Sequence, residues 1–199
     1  MIPVPRDTGP AGPSGPAGPS GDATPDPATR SALSARDGDP TAQAVFVRLT
    51  QAEVWRFVAA LVGPGSADDL AQETYLRAFK ALPAFEGRSS ARTWLLGIAR
   101  RACADHLRTV IRRRRLDERL AANAHTDRPH PDPAGQLGAN DLVRRLSPER
   151  RAAFVLTQLL GLSYAEAAAV EGVPVGTIRS RVARARDELV EAVDDARTG

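Results

Sequence analysis

Residues Ser163 to Arg186 read SYAEAAAVEGVPVGTIRSRVARAR. Ser163, followed three residues later by Glu166, is a capping box, so a helix is predicted to start there. Gly172 suits the left-handed position that closes it. Pro174 suits the first position of a second helix, where its missing N–H costs nothing. In that second helix Ile178, Val182, Ala185 and Leu189 make one apolar stripe to bury. Thr177, Ser180, Arg181 and Arg184 share another face, polar and cationic. The pattern is a helix-turn-helix, whose second helix fits the DNA major groove. DNA is therefore the first partner to consider.

The chain has 199 residues and a net charge of +3, enough for one or two small domains. The charge is unevenly placed. Between residues 88 and 115 nine arginines meet a single acid, Asp105. Residues 1–87 and 116–173 are slightly acidic, and 174–199 balance. Clustered arginine beside a helix-turn-helix is a nucleic-acid footprint. Lys80 is the sole lysine in a chain rich in Ala, Arg, Gly and Pro. High-GC coding accounts for that preference, but not for the clustering. Cys103 is the only cysteine, which excludes an internal disulfide and favours a cytoplasmic setting. No apolar run reaches the length of a membrane span, and the Pro/Gly-rich start lacks the apolar core of a signal peptide.

Residues 1–36 read as a disordered tail, with glycine at every third position from Gly9 to Gly21 but too few triplets for a collagen helix. Asp39-Pro40 predicts a helix start. Residues 40–62 read as one helix or two, with Val45, Phe46, Leu49, Phe57, Val58 and Leu61 buried and Thr50/Glu53 marking a second start. Ser66 caps a helix to about Leu82 that buries Leu70, Tyr75, Phe79 and Leu82, and Pro83 stops it. A long helix follows from Ala91 to about Arg112, with Trp94, Leu95, Ile98, Ala99 and Ala102 on its apolar side. Residues 116–139, with Pro129, Pro131 and Pro133, form a linker. Order resumes near Asn140. Ser147-Pro148 starts a helix with Phe154, Val155, Leu156, Leu159 and Leu160 as its core, and polar residues from Asp194 on are expected to fray. The fold class is all-α: two small helical domains joined by a flexible linker.

Three motifs, in order, carry a resemblance. They are Asp68-Asp69-Leu70-Ala71-Gln72-Glu73-Thr74-Tyr75-Leu76-Arg77-Ala78-Phe79, then Ser90-Ala91-Arg92-Thr93-Trp94-Leu95-Leu96-Gly97-Ile98-Ala99-Arg100, then Leu162 to Arg186. Together they resemble the extracytoplasmic-function (ECF) sigma factors, the promoter-recognition subunits of bacterial RNA polymerase, and within them the actinobacterial sigma-C type. The resemblance covers about residues 38–195. It implies a first domain over 37–115 for core docking and the −10 element, a linker over 116–139, and a second domain over 140–196 for the −35 element. It implies no cofactor, no metal and no bond chemistry. The implied partners are core RNA polymerase, through the clamp coiled coil of its largest subunit and its flap, promoter DNA, and an anti-sigma factor where one exists. The free protein is expected to be a monomer away from membranes.

Residue by residue, the resemblance places Asp69, Gln72 and Glu73 on the polymerase. Their i, i+3, i+4 spacing puts them on one face, and the plain alternative is an acidic helix start favoured by the dipole. It places Arg179, Ser180, Arg181 and Arg184 at the −35 element with Thr177 on the same helix and Arg186 near phosphate. Arg92, Arg100, Arg101 and Arg108 fall in the −10 segment. Trp94 reads first as core packing and second as a support for unstacked bases. Many family members carry Asn where this chain has Arg101, in the stretch associated with a flipped −10 base. Arginine cannot copy an amide's paired donor and acceptor, so the −10 preference is expected to differ.

Other classes fit less well. Cys103 and His106, with His125 and His130 in the linker, lack zinc-site spacing, and nothing orients His106 as a base. The linker carries Asp117, Glu118, Asp127 and Asp132 against Arg119 and Arg128; it reads equally as a tether or as a channel-threading segment. The runner-up function is a stand-alone helix-turn-helix regulator, which needs a sensor half, and no ligand pocket or phosphoacceptor aspartate is legible there.

Overall fold

The computed structural model describes residues 24–122 and 139–198. The start of the tail and the linker residues 123–138, including His125, Asp127, His130 and Asp132, lie outside the described residues. Every regular element among the described residues is helical.

The tail reading needs correction. Residues Pro27–Arg36 form a helix, α1, whose N-cap Asp26 accepts the N–H groups of Ala28 and Thr29. Its buried Ala32 and Ala35 are small enough to let it lie close on α2, which compositional reading of a Pro/Gly-rich segment does not reveal. Helix α2, Pro40–Val62, is a single element capped by Asp39. Thr50 does not start a second helix; its Oγ1 donates to Phe46 O and shares a 2.7 Å bond with the Tyr75 hydroxyl. Phe46, Phe57, Val58 and Leu61 are buried as expected, but Leu49 is exposed. Helix α3, Ala67–Ala81, follows a 3₁₀ turn at Pro64–Ser66, and Ser66 makes no side-chain cap. Its Leu70 and Ala78 are buried, and Tyr75 and Phe79 pack half-buried against the core. Helix α4 runs Ala91–Ala122, ten residues past the expected end. Those added residues are helix-compatible and wholly exposed from Ile111 to Leu120, so apolar content alone was a poor guide to where α4 stops.

Helix α5 is Ala139–Arg145, and α6 is Pro148–Phe154, continued by a π turn over Val155–Leu159. Leu160 N–H bonds Val155 O at 2.9 Å to close that turn. The extra residue in the turn rotates Leu159 out to solvent, against expectation, while Val155, Leu156 and Leu160 stay buried. Helix α7, Tyr164–Glu171, carries the full capping box: Ser163 Oγ accepts Glu166 N–H and Glu166 accepts Ser163 N–H. Gly172 closes it at φ +66°, a left-handed conformation that suits glycine. Helix α8 is Val175–Thr198. Pro174 sits just before it rather than inside, its carbonyl accepting from Thr177 and Ile178. The helix continues past Asp194.

The two halves, α1–α4 and α5–α8, pack together. Helix α7 lies on α4, and α6 touches α2. One continuous set of buried residues runs from Ala32 through Leu95 to Leu156 and Val182. Arg151 ties α6 to the end of α2. Its guanidinium donates to Leu61 O at 2.9 Å, to Leu146 O at 3.0 Å and to Arg144 O. Leu61 O is among the last carbonyls of α2, which lack helical partners and attract cations. Burial, with Arg144 adding to it, pushes the Arg151 guanidinium below its ordinary range. Leu156 is fully buried. Leu156→Ala is expected to cost about 2–5 kcal/mol, read as a lowered urea midpoint, whereas Leu159→Ala should change it little.

Candidate nucleic-acid interface

Helix α8 divides as its sequence demands. Ile178, Val182 and Ala185 are buried against α6 and α7, which forces the opposite face outward. Arg179 and Arg184 are exposed and hold no ion pair among the described residues. Ser180 is exposed and donates to Thr177 O at 2.9 Å, so its hydroxyl keeps a lone pair for an incoming donor. Thr177 is partly buried. Arg186 donates to Gln158 Oε1 at 2.6 Å, an exposed contact that a phosphate can replace. Arg181 points the other way, toward α7. The expected face therefore survives with Arg179, Ser180 and Arg184 at its centre.

Helix α4 carries the second basic surface, and its arginines have separate fates. Arg101 is exposed, without an ion pair among the described residues, and lines a cleft of about 420 Å³ with Arg77, Ile98 and Arg108. Asp105 on the cleft rim pairs with Arg77 at 2.7 Å and with Arg108. Arg77 first, then Arg108, hold the Asp105 carboxyl below its usual range. Arg92 is instead drawn inward: it makes two 2.7 Å bonds to Glu53 and another to Leu160 O of the second half. Arg100 is also committed to the second half.

Glu171 is where the two surfaces meet. Its side chain is only 2% exposed. It accepts from Arg100 of α4 at 2.6 and 3.4 Å and from Arg181 of α8 at 3.3 Å. One carboxylate thus holds an arginine from each of the helices expected to read DNA. Sequence reasoning missed it, yet a signal existed. An acid in the last turn of α7 opposes the helix dipole, so its presence there calls for cations from elsewhere.

The remaining candidates spread apart. Asp69 and Gln72 are exposed on the outer face of α3. Glu73 is partly buried and pairs with Arg77 at 2.8 Å. Beside them stand exposed Leu76 and Trp55, whose Nε1 donates to Asp68 at 2.8 Å, an apolar element that the acidic motif alone did not disclose. Trp94 packs on Phe85 with ring centroids 4.8 Å apart, as core packing requires, and it also lines a cleft of about 220 Å³ walled by residues 84–89. Cys103 is buried, and desolvation pushes its thiol up to about 12. It is therefore a protonated core residue at neutral pH, without the thiolate that metal binding or nucleophilic attack needs.

Comparisons agree with this division. Residues 43–115 match the family model for Sigma-70 region 2, and residues 139–189 match that for Sigma-70 region 4. The chain is 53% identical over 175 residues to the ECF RNA polymerase sigma factor SigC of Mycobacterium tuberculosis, covering 86% of this chain and 94% of the relative. It is 33% identical over 167 residues to the ECF RNA polymerase sigma-E factor of Escherichia coli, covering 76% and 86%. Among solved structures it is similar to the sigma factor RpoE of Bartonella quintana in complex with the anti-sigma factor NepR, with a TM-score of 0.57, 29% identity, and 74% and 94% covered. The fold is also that of CnrH in complex with the cytosolic domain of CnrY, at a TM-score of 0.65 and 23% identity over 85% of this chain and 99% of that one.

Removing one partner of a buried ion pair costs about 3–5 kcal/mol. Glu171→Gln should therefore loosen α4 from α7 while each half stays folded. Small-angle scattering is expected to show a larger radius of gyration with unchanged helical circular dichroism. An unchanged radius would show that the Glu171 pairs are not needed to hold the halves together.

Proposed function

The chain belongs to the ECF sigma factors and directs promoter recognition by RNA polymerase, and from that premise we propose how its surfaces divide the work. Helix α8 reads the −35 element through Thr177, Arg179, Ser180, Arg181 and Arg184, with Arg186 on phosphate. The observation that carries this reading is the pairing of a buried stripe, Ile178, Val182 and Ala185, with an outward face on which Arg179 and Arg184 are exposed. An arginine fork can take two guanine acceptors at once, worth about 1–3 kcal/mol of discrimination.

Helix α4 engages the −10 element through Arg92, Arg100, Arg101 and Arg108. The cleft between residues 84–89 and Trp94 receives one unstacked base, with the indole as its platform. Arg101, at a position where many relatives carry Asn, supplies donors only, which favours acceptor-rich base edges. On α3, Asp69, Gln72 and Glu73, flanked by exposed Leu76, dock on the clamp coiled coil of the largest polymerase subunit. The second half meets the flap. The protein works in the cytoplasm, where polymerase is, and as a monomer when free. An anti-sigma factor is a further partner, since the similar sigma factor RpoE is seen with the anti-sigma factor NepR. The stand-alone regulator gives way, because the half that would have been its sensor is the region 2 module.

The two DNA elements lie about 25 base pairs apart, roughly 85 Å along B-form DNA at 3.4 Å per pair. Helices α4 and α7 in contact cannot serve both ends of that distance, so the halves separate on the promoter. Separation releases Arg100 from Glu171 and Arg92 from Leu160 O, whereas Arg181 shares the second half with Glu171 and turns to the −35 element only when a phosphate displaces that bond. Phosphates then take the place of these acceptors.

The surfaces are separable by mutation. Arg184→Ala should weaken −35 recognition about tenfold or more with core affinity unchanged. The double variant Gln72→Ala/Glu73→Ala should weaken core binding with DNA preference unchanged. Run-off transcription on genomic promoter fragments with actinobacterial core polymerase, alongside a core-binding titration, checks both. Equal loss of core binding in the two variants would refute the division. Promoter affinity should also fall steeply with salt, each neutralised phosphate adding roughly 0.9 to the log–log slope.

A further inference from the structure

Helix α1 lies before the region 2 match, which begins at residue 43, yet it reaches the rim of the Trp94 cleft at three points. Thr29 is 5% exposed. Its Oγ1 accepts the N–H of Ala91, the first residue of α4, at 2.8 Å, and donates to Asp26 at 2.5 Å. The first N–H groups of a helix have no partner inside it. Ser90 supplies one cap for α4, accepting Thr93 N–H at 3.1 Å; Thr29 supplies another from a residue 62 positions away. At the other end of the loop, Arg36 donates to Phe85 O at 3.1 Å while its Nε holds Asp37. Between them Leu33 sits under Gly87, where a Cβ would stand 3.6 Å from its methyl group. Gly87 itself is at φ +71°, a turn that glycine permits without strain.

The residues that face the cleft contribute little to holding it. Glu86, Arg88 and Ser89 are exposed, and among the described residues Arg88 pairs with Glu86 alone. Beside the loop's own Ser90 cap and the packing of Phe85 on Trp94, α1 thus adds one fastening at Phe85 and one at Ala91. A site that tells bases apart needs its polar groups held within about 0.5 Å. We infer that α1 sets the shape of the 85–90 loop and, through it, which −10 base the Trp94 cleft accepts, with Thr29 and Arg36 as positioning residues. This rests on the reading that the cleft receives an unstacked base. Neither residue touches DNA. Each acts through a backbone group of the loop, so the effect is on preference rather than on DNA affinity at large.

The test uses the full chain assembled with core polymerase. A promoter from which the unmodified protein initiates is varied one base at a time across its −10 element, and transcripts are counted by sequencing. Thr29→Val keeps the shape of the side chain and removes the hydroxyl; Thr29→Ser keeps the hydroxyl; Arg36→Gln removes the charged fork. The double variant Glu86→Ala/Arg88→Ala alters the cleft directly. Thr29→Val and Arg36→Gln are expected to lower discrimination about tenfold at the same −10 position that the double variant affects. Thr29→Ser should retain it, and core affinity should stay within twofold throughout. A uniform loss of transcription over all bases would mark a merely structural helix and overturn the inference. If the double variant alters preference while Thr29→Val and Arg36→Gln do not, the inference falls and the cleft reading stands. If the double variant alters no preference, both fall. Should Thr29→Val not fold, Arg36→Gln decides by the same criteria, since its side chain is 31% exposed and its loss leaves the core intact.

Discussion

A carboxylate almost withdrawn from water has to be met by cations, and Glu171 is met by two, one from each basic helix. The arrangement of the whole molecule follows from that demand. Helix α7 must end on α4 for Arg100 to reach, and α8 must cross behind α7 for Arg181 to reach. Around this centre, among the described residues, arginines make further polar ties between the halves: Arg92 to Leu160 O, and Arg151 to Leu61 O. Apolar packing supplies the area, through a core that continues across both halves. The arginines supply the register. A buried ion pair is poor evidence of net stability, because desolvation of both partners offsets much of the attraction. Its better-attested use is to select one arrangement over others, and here it selects one that occupies Arg100 and Arg181, two of the side chains proposed to meet DNA.

Much of this was legible in the chain, for reasons that differ by element. The helix-turn-helix could be read almost completely because its signals are local: the capping box at Ser163 and Glu166, the left-handed Gly172, and the stripe Ile178, Val182, Ala185. Local hydrogen bonds do not depend on what packs elsewhere. Helix α1 was not legible. Its buried face is made of Thr29, Ala32 and Ala35, residues with little hydrophobic signal, and its value lies in a bond to Ala91 that no local pattern encodes. Leu49 and Leu159 failed for the opposite reason. Both carry strong apolar signals, but a face left uncovered exposes the first and a π turn rotates the second outward.

The candidate site shows the same contrast. Basic residues on α4 and α8 could be found by counting, and their general partner, an anion, follows from their density. Which arginine is free and which is committed could not be found that way. Arg100 and Arg101 are neighbours of identical chemistry, yet their side chains leave α4 about 100° apart, as helix geometry requires. One meets Glu171 and the other meets solvent. Only the position of α7 decides between them, and that position is a tertiary fact.

The choice of arginine sharpens the point. A guanidinium offers a planar fork that matches a carboxylate, a phosphate or the guanine edge with two parallel bonds. The fork that Arg92 presents to Glu53, with two bonds of 2.7 Å, can be presented to a phosphate with the same geometry. A lysine in these places would bind any of these anions as a point charge, without orientation. With Lys80 as its only lysine, the chain builds its internal ties and its exposed basic surfaces from one chemical group. On the proposed reading, opening on a promoter would exchange like for like, with the Glu171 carboxylate of Arg100 and the Leu160 carbonyl of Arg92 given up for phosphate or base acceptors. The balance between the two states would then depend on the number of anions the DNA presents, tying the opening of the structure to engagement with a polyanion.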